Sequence, residues 1–181
     1  MRKLGVLAAA AALVAAACVE SPTDAVDPNF DLSMRPVVVH HSVNMINAIE
    51  SPACPSRGKG IANVKIHDDG SISSSVAITN RGGESVRFGH IHHLNTGAAT
   101  GPVIWWLSSP IGTDLNLTAA DIRIAQLGAF VTNAHFTSNA AGIAELLAKP
   151  QDFYVNFHSD NCPGGFARAF LGHAENGTSG E

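Results

Sequence analysis

The sequence predicts an all-β protein, an antiparallel Greek-key β-sandwich or barrel with one or two short helices inserted. Three observations carry this. Short runs rich in Val, Ile and Phe recur between turn residues, about seven or eight of them, as sandwiches and barrels require. Clean period-2 alternation marks the best of these runs, so that one face is apolar and the other polar. Two runs, FGHIHHLNTGAATGPV from Phe88 and FYVNFHSDNCPGGFARAFL from Phe153, read as strands that end in histidine and pass into loops rich in Gly, Pro and Asn.

Val37 to Ile49 opens with PVVVHH and then loses alternation, as a first strand near a sheet edge does. Ile61 to Ile66 and Ile72 to Ile78 flank HDDGS, where Asp69-Gly70 signals a hairpin because Gly supplies positive φ without steric cost. Ile72, Val76 and Ile78 share one face, Ser73 and Ser75 the other. Arg81-Gly82-Gly83 turns the chain into Val86 to Leu94, and Pro102 to Leu107 is a buried strand. Its Trp105 and Trp106 alternate across the sheet, so one is expected in the core; the other is expected there too, with cover for a helix or ligand groove as the alternative. Thr118 to Ala125 reads as a short helix. Asn139 to Lys149 reads as a better one, with Ser138 or Asn139 as cap and Pro150 as stop. Phe153 to His158 and Phe166 to Leu171 complete the set.

The N-terminus bears on location. Arg2 and Lys3 precede an uncharged apolar run, Leu4 to Ala17, too short to span a bilayer comfortably and built like a secretory signal. Residues 1–17 are therefore expected to be a signal peptide. Ala15-Ala16-Ala17 directly before Cys18 is similar to the lipobox of bacterial lipoproteins, whose cysteine is lipidated and heads the mature chain. The alternative is an ordinary cleaved signal with an incidental cysteine. Several acyl tails on Cys18 give stable anchoring where one would not. Residues 18–36 then form a lipidated cysteine and flexible tether, 37–172 the folded domain and 173–181 an unstructured tail. The expected location is the bacterial cell envelope, lipid-anchored and extracytoplasmic, with the membrane as partner through the anchor. The 45 % hydrophobic content is raised by the alanine-rich leader. A net charge of −4 without a basic cluster recommends no nucleic-acid partner.

Of the three cysteines, Cys18 takes the lipid, which leaves Cys54 and Cys162 as an even pair. In an oxidising compartment the economical reading is a Cys54–Cys162 disulfide; two free thiols are the alternative. Such a bridge ties the loop after the first strand to the loop after His158.

The succession GKGIANVKIHDDGSISSSVAI, HIHHLNTGAATGPV, a helical insert ending in ELLAKP, and FYVNFHSDNCPGGFARAFL resembles the chordin (CHRD) domain over Val43 to Leu171. The resemblance implies a β-domain of secreted proteins and little about activity. A more distant similarity is to copper/zinc superoxide dismutases, antiparallel β-barrels with an F-H-V-H strand, a late single histidine and a G-x-R arginine. It implies His90, His92 and His158 as metal ligands, copper or zinc as cofactor, and Arg168 as an anion-guiding residue. A zinc subsite of that type is missing, since Leu94 to Ala134 holds no histidine.

On a strand His90 and His92 point to one face, about 6.6 Å apart. Three neutral imidazoles with an open position suit a reactive copper or zinc site. Strand parity, however, puts His90 and His92 with Val86 and Phe88, and His158 with Tyr154 and Asn156. An apolar and a polar face converge only at a strand end or across a β-bulge. The competing reading is structural histidines hydrogen-bonded to carbonyls and to Asn95 or Asn156. His93 is expected in solvent, His40 and His41 on the edge strand, His67 and His173 exposed, and His135 without a visible partner. No nucleophile elbow, phosphate-binding glycine loop or carboxylate pair suggests catalysis. The sequence thus points to an extracytoplasmic binding or structural module with an unknown ligand or protein partner. A copper redox protein is the alternative.

Overall fold

The turn at His67–Ser71 sets the register of the first half of the molecule. In the computed structural model, which describes residues 36–107, 114–127 and 135–173, Gly70 sits at φ 77°. Its N–H donates to the His67 carbonyl at 3.0 Å, while the His67 N–H donates to the Ser71 carbonyl at 2.9 Å. Strands β2 (Lys59–His67) and β3 (Ile72–Thr79) leave this hairpin in continuous antiparallel register, Ile66 opposite Ile72 and Lys59 opposite Thr79. Ile72, Val76 and Ile78 are buried as the alternation requires.

The other strands are β1 (Val37–Ile46), β4 (Val86–His93), β5 (Val103–Trp106), β6 (Asp121–Leu127), β7 (Phe153–Ser159) and β8 (Ala167–Phe170). All pairings are antiparallel, in one sheet of order β5-β4-β7-β8-β1-β2-β3-β6. This is the form the expected antiparallel β architecture takes: one eight-stranded sheet curled into a half-barrel, with a single short α-helix among the described residues. The curl follows from the chain path. Beyond β5 the chain still pairs along β4, Leu117 opposite Val86, and by Asp121 it has entered β6 at the far edge of the sheet. At about 3.3–3.6 Å per residue, that short span obliges the two edges to approach one another.

Two expectations are corrected here. The segment read as a helix from Thr118 to Ala125 is largely β6, paired with β3 from Asp121↔Thr79 to Leu127↔Ser73. Its D-I-R-I alternation buries Ile122, and pairing with the open edge of β3 outweighs local helical preference. β1 is not at the edge of the sheet. It lies between β8 and β2, although Ile46↔Arg168 is its sole pairing with β8 among the described residues.

The helix α1 (Asn139–Ala148) is capped by Ser138, whose Oγ accepts from the Ala141 N–H at 3.2 Å; Pro150 then opens a 3₁₀ turn, Pro150–Asp152, that leads into β7. Asn139 is spent elsewhere. Its amide oxygen accepts from the Trp105 indole N–H at 3.1 Å and its amide nitrogen donates to the Gly70 carbonyl at 2.7 Å, tying the helix to the hairpin. Trp105 is core, as expected. Trp106 is only half-buried and lies on the opposite face of the sheet. The main core gathers Val43, Met45, Val64, Ile66, Ile91, Val155 and Phe157 with Trp105 and the helix residues Ile143 and Leu146. Gly89 belongs to this face because any Cβ there would meet the Phe157 ring. Among the described residues no helix is long and apolar enough to cross a membrane. The expected signal peptide, Cys18, the tether apart from Pro36, and the tail beyond His173 lie outside the described residues.

Candidate metal centre

Strand register builds the site. Across β4, β7 and β8, His92 stands opposite Tyr154 and Tyr154 opposite Phe170. In the next row His90 stands opposite Asn156 and Asn156 opposite Arg168; Phe88 stands opposite His158. Directly paired residues of antiparallel strands share a face, so the three histidines all lie on the side of the sheet away from the main core. The parity problem is solved by a bulge. Val86 pairs with Ser159 while Phe88 already pairs with His158, leaving Arg87 as the extra residue. Val86 thereby turns into the core, fully buried, while Phe88, His90 and His92 keep the other face.

The rings meet. Ring centroids lie 5.0 Å apart for His90 and His158, 5.5 Å for His90 and His92 and 5.9 Å for His92 and His158. One nitrogen from each lies within 4.8 Å of the others. Two tautomers can be read from the partners. His92 Nδ1 donates to the Gly101 carbonyl at 3.0 Å and His158 Nδ1 to the Pro163 carbonyl at 2.9 Å. A carbonyl only accepts, so each Nδ1 carries the proton and each Nε2 presents a lone pair. Both Nε2 atoms, and both ring nitrogens of His90, are buried without a hydrogen-bond partner.

Burial, helped by neighbouring charge, keeps these rings neutral. Burial, then the neighbouring His158 and His92, push His90 down to about 2. Burial pushes His92 down to about 4, against the Gly101 hydrogen bond and helped by His158 and the Arg168 guanidinium. His158 is lowered by burial and by Arg168, partly offset by Pro163. Neutral imidazole is the form that ligates a metal.

The walls are specific. The Tyr154 ring stacks on His92 at 4.8 Å and 4°, and its hydroxyl accepts from the Gly101 N–H at 3.2 Å. Trp106 sets its ring edge-on to His90 at 4.2 Å. Arg168 is 2 % exposed, so its charge faces inward. Its guanidinium lies 4.1 Å from the Tyr154 ring centroid, Nη1 donates to the Ala99 carbonyl at 2.9 Å, and Nε sits 3.3 Å from Glu50 Oε2. Burial raises Glu50 to about 7, although Arg168 pulls it down. A surface cleft of about 220 Å³ lined by Arg87, Phe88, His158, Ser159, Asp160 and Pro163 opens beside the third histidine.

The disulfide joins Cys54 to Cys162, as the cysteine count led one to expect, with Cα atoms 5.8 Å apart. It is reinforced by Glu84, whose carboxylate accepts from Ser56 Oγ at 2.6 Å and Ser159 Oγ at 2.5 Å. The Pro163 carbonyl that orients His158 is thus anchored from two sides.

Several of the remaining histidines depart from expectation. His93 is buried, not solvated, because the loop and helix beyond β4 close over it; its ring stacks on His135 at 4.4 Å. His41 is buried since β1 is interior, and His67 is buried against Ser73 Oγ at 2.8 Å. His40 is exposed, and His173 falls in a closing 3₁₀ turn. Glu50 and Tyr154 were not singled out as site residues in the sequence, and Trp106 only as one of a pair of which one member could cover a ligand groove. Period 2 already put Tyr154 on the face of His158, whereas nothing local marks Glu50.

A curled antiparallel β-domain whose loops are clipped by a disulfide is consistent with oxidising surroundings, where such bridges form and persist. The CHRD domain family matches residues 41–171, and the chain belongs to that family. No curated protein and no solved structure matches the chain.

Proposed function

We propose that the protein is a lipid-anchored CHRD-domain module of the cell envelope whose ligand is a single copper or zinc ion held by His90, His92 and His158. The observation that supports this reading is the pair of Nε2 lone pairs on His92 and His158, turned with His90 into one buried space while their Nδ1 protons go to backbone carbonyls. Metal-binding histidines are oriented in this way, by a hydrogen bond from the second nitrogen. Purely structural histidines would instead use both nitrogens, because a buried unpaired acceptor costs about 1–3 kcal/mol. Three imidazoles without thiolate or carboxylate suit copper and zinc. Donors about 2.0–2.1 Å from a tetrahedral ion stand roughly 3.4 Å apart, so ring shifts of about an ångström close the site. The inward-facing Arg168 holds the Ala99 loop over Tyr154, and we assign it that positioning role in place of anion guidance from solvent.

The test is copper binding by the purified chain after stripping and reconstitution. One equivalent of copper is expected in the wild type and a loss of at least 100-fold in affinity in both His90→Ala and His158→Ala, beyond the 10–100-fold typical of outer-shell changes. Wild-type stoichiometry in those variants rejects the site. Copper-loaded protein that consumes superoxide would extend the reading to redox catalysis. The anchor is tested separately: Cys18→Ser should leave the membrane fraction for the soluble extracytoplasmic one, and a variant still sedimenting with membranes argues against lipidation.

A further inference from the structure

A second cluster of donors lies across the sheet from the three histidines. His93, the last residue of β4, points to the main-core face next to Phe153, its partner in β7. It is 9 % exposed, and neither of its ring nitrogens has a hydrogen-bond partner. Aromatic rings hold it in place: His135 stacked at 4.4 Å, Phe153 edge-on at 4.8 Å and Phe136 edge-on at 5.5 Å. One of its nitrogens and carboxylate oxygens from Glu145 and Asp152 all lie within 4.8 Å of one another. Glu145 comes from the last turns of α1 and Asp152 from the 3₁₀ turn that leads into β7. The end of β4 and the α1–β7 connection, remote from it in sequence, therefore turn donors to one point.

We infer that His93, Glu145 and Asp152 form a second metal site, distinct from the three-histidine cluster, which takes a divalent first-row ion of the zinc type. The donor chemistry selects the ion. Two carboxylates cancel the charge of a dication, and the imidazole favours zinc over calcium or magnesium, which prefer all-oxygen sets. A buried imidazole whose two nitrogens lack partners is costly unless something binds one of them. At present the charge of Glu145 is answered by Lys149, whose Nζ lies 2.9 Å from Glu145 Oε1 at an exposed position. Lys149 is thus a competitor for the ion. Bound there, the ion fastens α1 to the ends of β4 and β7, the strands that carry all three histidines of the other site.

The experiment is a zinc count on the metal-stripped full chain, equilibrated at buffered free zinc and analysed by mass spectrometry. The wild type should hold one zinc more than Glu145→Gln/Asp152→Asn, and one more than His93→Gln. Both carboxylates are partly solvent-exposed, so the double variant keeps the fold, verified by its unchanged copper binding. Lys149→Met should bind this zinc several-fold more tightly, and His158→Ala should retain it while losing copper. Equal zinc content in wild type and Glu145→Gln/Asp152→Asn overturns the inference, as does weaker zinc binding in Lys149→Met. Loss of copper alone bears on the three-histidine proposal and leaves this one standing.

Discussion

Removing the Cys54–Cys162 bridge is expected to cost the domain roughly 4–5 kcal/mol, the upper figure that chain entropy assigns to so long a loop. The two cysteines are separated by 108 positions, so the bridge restricts most of the unfolded domain. Domains of this size carry about 5–15 kcal/mol in total, so the reduced protein should lose about a third or more of its stability. Hydrogen bonds also shape the loop around the bridge. The Cys162 N–H donates to Ser159 Oγ at 3.0 Å, and the Gly165 N–H donates to the Cys162 carbonyl at 3.1 Å, so the loop is held in its own conformation. Urea unfolding of Cys54→Ser/Cys162→Ser against the wild type measures the effect. The same variant should bind copper about tenfold more weakly, because the Pro163 carbonyl that orients His158 loses one of its two anchors. An unchanged urea midpoint would show that the hydrogen bonds around Glu84 hold the loops without the sulfur bridge.

The second large effect is expected at Arg168. Replacing it with Met leaves Glu50 buried without its counter-charge, a change that typically costs about 3–5 kcal/mol. That cost depends on pH. The Glu50 carboxyl is raised by burial from its ordinary 4.5 to about 7 in the folded protein. The folded state therefore keeps a proton that the unfolded state releases. This contribution is fully present below about pH 4.5 and is lost as pH rises through about 7. Without Arg168 the carboxyl rises further, so the variant goes on losing stability above that range. Arg168→Met should lie close to the wild type at pH 5.5 and fall about 2 kcal/mol below it at pH 8.5, since the one proton it retains is worth about 1.4 kcal/mol per pH unit above about 7. Adding Glu50→Leu should recover most of the loss at the higher pH. A gap that stays constant with pH, or a double variant no better than the single, would mean that Arg168 acts through its contacts with Tyr154 and Ala99 alone.

Much of the fold could be read locally. The Asp69-Gly70 hairpin, the alternation of β3, the Ser138 cap and the Pro150 stop are decided by residues a few positions apart, and each stands where such rules put it. The helix reading from Thr118 to Ala125 failed because β6 exists only through its partner: Ile122 is buried by pairing with β3, not by its own neighbours. The face of the histidines depended on one bulged residue, Arg87. Alternation counted through that residue sends Val86 to the wrong side. Burial of His41, His67 and His93 was likewise invisible, since a histidine between polar and apolar neighbours reads as surface until another segment covers it.

By itself the sequence determined the strand inventory apart from β6, the CHRD kinship and the pairing of Cys54 with Cys162, because alternation, turn chemistry and cysteine number are properties of the chain. The three candidate histidines were also visible in it. Only the tertiary structure decided that they converge, that Tyr154, Trp106 and Glu50 surround them, and that His93 meets Glu145 and Asp152 on the other face. Those arrangements rest on register between strands far apart in sequence, and register is set by the packing of the whole sheet.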